Sequence, residues 1–326
     1  ITDNQSHLEL CFPQLLNASC WKPKRHQSDA VLLYLLFFIS ALTVVLNLLV
    51  IISVSHFRQL HTPTNLLLLS LAVSDFFVGL VVTPFGALRQ TSCWYLGDLV
   101  CSLYNYVSCF VISASIGDMV LISADRYVSI CDPLHYSTRV TVSRVKLCIY
   151  ICWLCSFLYN SLFLKDDLTQ PGRYNSCHGE CLILIESISG TFDIFLSYTV
   201  PVAVIIFLYM RVFLTAVSQA RAMRSHVAAV TLHHSGTKRS ELKAARTLGV
   251  VVAVFLICFC PLYNGSFVKD SFDGALPETL MFTLMSINPC LNPVIYALFY
   301  PWFRKALRLI FSLQILQPGS YLTSML

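Results

Sequence analysis

AVLLYLLFFISALTVVLNLLVIISV, residues 30–54, holds 25 positions without one charged side chain. A helix rises 1.5 Å per residue, so about 20 apolar residues span the roughly 30 Å hydrocarbon core of a bilayer. A water-soluble helix of this length shows a polar face. Here the only breaks are neutral: Tyr34, Ser40, Thr43, Asn47 and Ser53. In lipid the backbone must satisfy its own hydrogen bonds, which selects a helix over an open strand.

Six further runs of the same kind follow, at Asn65–Leu88, Leu99–Tyr127, Val145–Leu164, Ser187–Met210, Ala245–Val268 and Ala275–Tyr300. Across 326 residues the chain is 56% hydrophobic and 12% charged, against roughly 25% charged in a soluble domain. The reading is an all-α membrane protein, a seven-transmembrane helix bundle. Residues 1–29 form an outer N-terminal segment, 30–300 the bundle, and 301–326 an amphipathic helix and inner tail. The helix is read from Pro301–Phe311, where basic and apolar residues interleave at helical spacing. Residues 1–29 contain no apolar core of signal-peptide length, so the first span is expected to target the chain and stay in the membrane. No basic block of nucleic-acid type accompanies the net charge of +5.

Orientation follows from the basic residues. With the N-terminus outside, the inner segments carry 15 Lys and Arg and the outer segments seven, as the positive-inside rule requires. The sequons at Asn4 and Asn17 then face the glycosylating side. Six cysteines lie on that outer side: Cys11, Cys20, Cys93, Cys101, Cys177 and Cys181. An even number in an oxidising compartment implies three disulfides, but six cysteines allow 15 pairings. No nucleophile–base or zinc-type constellation sits at one depth, so no enzyme and no cofactor is expected.

One motif stands in each span: Asn47 in the first, Leu71-Ala-Val-Ser-Asp75 in the second, Asp125-Arg126-Tyr127 closing the third. Trp153, Pro201, Cys258-Phe-Cys-Pro261 and Asn292-Pro293-Val-Ile-Tyr296 follow in order. The set resembles rhodopsin-like G-protein-coupled receptors over nearly the whole chain. The stretch from Asn292 to Phe303, NPVIYALFYPWF, is similar to the fingerprint of the trace amine-associated receptors. That resemblance implies an amine sensor of olfactory type at the plasma membrane, coupled to a stimulatory G protein and cAMP. It implies disulfides Cys101–Cys181, Cys11–Cys177 and Cys20–Cys93. It implies a sodium site and water network at Asp75, Ser115, Asn288 and Asn292. It also implies an inner lock of Arg126 with Asp125 and Glu241, and switch tyrosines at Tyr209 and Tyr296. The chain departs from the family at the ligand: Ser108 stands where the third helix usually carries an aspartate, Ser286 replaces a supporting tyrosine, and Phe259 replaces a tryptophan.

An acid inside a membrane is costly and points to function. Asp193 lies eight residues, about 12 Å of helix, before Pro201, and Ser108 lies about 10 Å below Cys101. Both therefore fall in the outer third. Asp193 is the expected ammonium anchor, and it matches the fifth-helix aspartate that certain members of the family use. Glu186, two turns higher, would hold a second ammonium or steer cations inward. Tyr104, Asn105, Phe192, Ser197, Phe259, Leu262, Tyr263, Phe282 and Ser286 complete the expected pocket, its aromatic rings suiting a cation. Two alternatives stand beside this reading. Asp193 is structural, bonded to Ser197 or Ser108, in a receptor for a non-amine ligand; or the chain is a transporter, a class whose inverted repeats are missing here.

Overall fold

The computed structural model describes residues 9–15, 17–22, 27–183, 187–226, 249–259 and 278–325. Six of its helices are long and apolar enough to cross a membrane. In chain order the bundle is α1 (Gln27–His56), α2 (Pro63–Thr91), α3 (Asp98–Cys131) and α4 (Val142–Phe163). Then come α5 (Ser187–Ile194, Phe195–Thr199 and Val200–His226, unbroken), α6 (Gly249–Phe259, a shorter apolar helix) and α7 (Glu278–Phe299). The amphipathic α8 (Pro301–Phe311) follows.

Local chemistry sets several boundaries. Thr62 caps α2 by accepting from the Asn65 amide at 3.3 Å, with Pro63 in the first turn where its missing N–H costs nothing. Thr141 caps α4 the same way, from the Arg144 amide at 3.4 Å. The extended residue Tyr300 separates α7 from α8, and Arg304 reaches back to the open carbonyls of Ala297 and Leu298 at 3.1 and 3.0 Å.

Two helices carry a wide π turn just ahead of a proline. In α2 it is Val78–Val82, before Pro84; in α5 it is Phe195–Thr199, before Pro201. Proline cannot donate to the carbonyl four residues back. The extra residue absorbs that mismatch and turns the preceding side chains by about 100°.

The bundle is inverted relative to a soluble core. Phe38, Tyr150, Phe207 and Leu298 are each more than 60% exposed and form a lipid-facing belt. Asn47, Asp75, Ser115, Asp118 and Asn292 are buried. Helix α3 packs against α2, α4 and α5, while α1 packs against α2 and α7. Small residues permit the close approaches: a Cβ at Gly79 would stand 2.9 Å from Thr43, and one at Gly117 would overlap the Cys152 sulfur. Pro293 in α7 leaves the Pro289 carbonyl without its helical donor. Asn47 of α1 supplies one at 3.0 Å.

Three disulfides staple the N-terminal face of the bundle, and two differ from the expected pairing. Cys101 joins Cys181 as expected, with Cα atoms 5.6 Å apart. Cys11 joins Cys93, not Cys177, and Cys20 joins Cys177, not Cys93. The backbone explains the exchange. Residues 18–20 lie alongside His178, whose amide donates to Ala18 and whose carbonyl accepts from Cys20, at 2.7 and 2.9 Å. That lays Cys20 beside Cys177. The segment doubles back, with the Cys11 amide donating to Cys20 at 2.8 Å, and Cys11 comes to rest over Gly179. Gly179 in turn accepts from the Trp94 amide at 2.8 Å, next to Cys93.

Candidate functional site

Asp193 sits at the last turn of α5 before the wide turn. Its Oδ1 accepts from the Tyr159 hydroxyl on α4 at 2.7 Å and from Ser197 at 2.8 Å. Both bonds fall on one oxygen. Among the described residues no cation lies within ion-pair distance of the carboxylate. The Ser197 contact is one that the structural alternative for Asp193 named. The Ser108 contact is not made: among the described residues Ser108 Oγ is buried without a hydrogen-bond partner, as is Ser286 Oγ. Tyr159 was not anticipated. It is one of many apolar or amphipathic residues on α4, and spacing cannot say which of them meets α5.

The aromatic residues expected around the pocket fall in two groups. Tyr104 is buried in a cluster with Trp94 and Phe85, ring centres 5.8 and 6.3 Å away. Phe282 of α7 closes on the same place, and Gly86 of α2 makes the room. A Cβ there would overlap the Phe282 ring and stand 2.8 Å from the Tyr104 oxygen. Phe259 stacks on Phe255 at 4.6 Å, and both are buried. Asn105 is tied into the outer loop, donating weakly to Asp167 at 3.5 Å and to the Leu182 carbonyl at 3.4 Å. Phe192 is a correction: it is 61% exposed and belongs to the lipid belt, because its neighbour Asp193 takes the inward direction. Glu186, Leu262 and Tyr263 lie outside the described residues, as do Asn4 and Glu241. Asn17 is exposed in a turn, accessible as a sequon must be. A cleft of about 380 Å³ opens above, lined in part by Arg89, Trp94, Glu180 and Thr279. Cys20, Cys177 and Glu180 approach one another there, but both sulfurs are spent in the disulfide and offer no thiolate to a metal.

The midplane is polar. Asn292 donates to Asp75 Oδ2 at 2.7 Å. Asp75 Oδ1, Asn292 Oδ1 and Asn288 Nδ2 are buried without a protein partner among the described residues. Ser115 is buried on α3. Asp118 is a further buried acid on α3. Both its oxygens accept from Ser70 of α2, at 2.8 and 2.9 Å, and the same hydroxyl accepts from Trp153 of α4 at 2.9 Å. The acid thus locks α2, α3 and α4 together through one serine.

At the inner end Arg126 is buried and pairs with Asp125, its Nε at 3.0 Å from Oδ2. Two partners were not foreseen. Thr64 accepts from Arg126 at 2.6 Å and donates to Asp125 at 3.0 Å. Tyr136, on the short helix Tyr136–Arg139, donates to the other Asp125 oxygen at 2.8 Å. That short helix is steadied by Asp132, whose carboxyl is held below its usual range by the His135 hydrogen bond, with Arg139 adding to it. Tyr127 packs on Ile130 and Val212. Among the described residues the hydroxyls of Tyr209 and Tyr296 are buried without a hydrogen-bond partner.

Comparison with known proteins settles the family. Residues 46–296 match the 7 transmembrane receptor (rhodopsin family) profile. Trace amine-associated receptor 8a of Rattus norvegicus is 38% identical over 334 residues, covering 97% of this chain and 96% of its own. Trace amine-associated receptor 13c of Danio rerio is 36% identical, covering 96% and 94%. The chain belongs to the trace amine-associated receptors of the rhodopsin family. It is a seven-span receptor of the plasma membrane and not an enzyme, with α6 as the part of the sixth span that is described.

Proposed function

We propose that this receptor senses a small amine, that Asp193 holds the ammonium, and that binding opens the inner face to a stimulatory G protein and raises cAMP, in an olfactory setting. The observation that carries the ligand assignment is the state of Asp193. It is an acid in the outer third of a membrane span, with both hydrogen bonds on one oxygen and no cationic partner among the described residues. A charge in that position gains most from an incoming cation. The names of the relatives point the same way. Ser108 is neutral, so the third helix offers no competing anchor.

Ligand binding is read as shifting a two-state bundle. The Arg126–Asp125–Thr64–Tyr136 cluster is the part that must loosen, with Glu241 the further partner of Arg126 at rest, while Tyr209 and Tyr296 gain partners on turning inward. Asp75, Ser115, Asn288 and Asn292 form the coupling network between pocket and inner face. Its hard oxygens, two of them without a partner, suit a sodium ion. The N-terminus is placed outside, in keeping with the 15-to-7 charge bias and the disulfide-linked face.

A cAMP reporter screen of mono- and diamines on the wild type and Asp193→Ala tests the proposal. Amine responses confined to the wild type are expected. A second reading rests on the Tyr159 and Ser197 bonds, which can hold Asp193 as a brace between α4 and α5. It predicts a receptor silent to amines, with Asp193→Ala impairing surface expression alone.

A further inference from the structure

Beyond α8 the chain turns back under the bundle. Leu313 takes a left-handed conformation with φ 58°, and Gly319 another with φ 83°. Between and after them, the short 3₁₀ turns Gln314–Leu316 and Ser320–Leu322 bring the tail to the first inner loop. Contacts there are specific. Ser320 Oγ donates to the Ile315 carbonyl at 2.6 Å and lies 2.8 Å from His56 Nε2. The serine has one proton, so the imidazole must be the donor in that second bond. The Met325 amide donates to Gln59 Oε1 at 2.8 Å. The Arg58 guanidinium lies 4.9 Å over the Tyr321 ring. Met325 is 2% exposed and joins the same buried cluster as Phe57 and Leu60.

The other side of this segment is apolar and uncovered. Leu313, Leu316 and Leu322 are 66%, 77% and 60% exposed, and Phe311 precedes them at 73%. Such a row in water is costly. The exposed Leu298 and Phe299 mark the end of the lipid-facing belt on α7, and α8 leads from there along the chain into this row. Arg304 and Arg308 of α8 are exposed beside it, a complement to anionic headgroups.

We propose that residues 312–325 form a two-sided strap, gripped on one side by His56, Arg58 and Gln59 and inserted on the other into the membrane leaflet at the α8 end of the bundle. The strap clamps α8 to the end of α1. A bilayer is the occupant because the row extends α8, a basic amphipathic helix of the kind that lies on a membrane surface, and follows its exposed cations Arg304 and Arg308.

The test uses the full-length receptor in nanodiscs of phosphatidylcholine and phosphatidylserine. A benzophenone amino acid placed at position 316 is expected to capture phospholipid on illumination, read by mass spectrometry. Separately, Gln59→Cys with Met325→Cys is expected to form a disulfide under mild oxidation, as is His56→Cys with Ser320→Cys. Capture of a second receptor copy, or no lipid adduct, at position 316 overturns the membrane side. Absence of both engineered bonds, in protein that retains Cys101–Cys181, overturns the clamp.

Discussion

Asp193→Asn keeps the shape of the side chain and removes its charge, so it isolates the ammonium contact. Breaking a fully buried ion pair costs about 3–5 kcal/mol. Asp193 is only partly buried, and exposure weakens an ion pair. The loss then falls nearer a single charge-assisted hydrogen bond, about 1.5–3 kcal/mol. At 1.4 kcal/mol per tenfold, amine potency should drop roughly 10- to 100-fold. Tyr159→Phe removes the hydroxyl at 2.7 Å from Oδ1 and leaves the Ser197 bond. It loosens the carboxylate without discharging it, and a loss of up to about tenfold is expected, near 1 kcal/mol. In the Asp193→Asn background the tyrosine has no charge left to position. The double variant should therefore be little worse than Asp193→Asn alone, a departure from additivity of about 0.5–1 kcal/mol. The assay is a dose–response curve of cAMP for one active amine, with surface receptor measured on the same cells. Unchanged potency in a surface-expressed Asp193→Asn receptor refutes the anchor. Strict additivity refutes the claim that Tyr159 acts through it.

Arg126→Ala should abolish the cAMP response while amine binding, measured with a labelled ligand on membranes, persists, since among the described residues Arg126 bonds to Asp125 and Thr64, at the end of α3 away from Asp193; retained signalling counts against the lock. Gly86→Ala drives a methyl group into Phe282 and the Tyr104 hydroxyl, an overpacking of about 1–3 kcal/mol. Lower thermal stability and weaker amine potency should follow, and an unshifted melting curve would mean that the rings yield freely. Asn47→Ala strands the Pro289 carbonyl, which Pro293 cannot serve, at about 1–3 kcal/mol. Detergent-solubilised protein should melt at a lower temperature, and equal melting would show another donor at work. Peptide mapping without reduction should recover Cys11 linked to Cys93 and Cys20 to Cys177; a Cys11–Cys177 peptide would contradict the outer-face geometry.

The spans themselves were legible in the sequence because lipid leaves the chain little choice: a long uncharged run must be a helix, and its length set most limits to within a turn or so, although α5, read as ending at Met210, runs on to His226. Residues 30–54 became Gln27–His56, and Leu99–Tyr127 became Asp98–Cys131. The coming together of Asp75 with Asn292 and of Asp125 with Arg126 followed from the family's motifs. Rotation about each helix axis and the course of the loops did not. Whether Phe192 or Asp193 turns inward depends on the wide turn ahead of Pro201, which shifts direction by about 100° without altering composition. Which helix answers Asp118 depends on the packing of three helices around one serine, and Ser70 is one small polar residue among many. Cysteine pairing depends on where the outer segment crosses the loop at His178, and backbone hydrogen bonds between residues some 160 positions apart decide that. Hydrophobicity along a chain measures depth in the membrane; partners at a given depth are chosen by contacts that only the assembled bundle brings into reach.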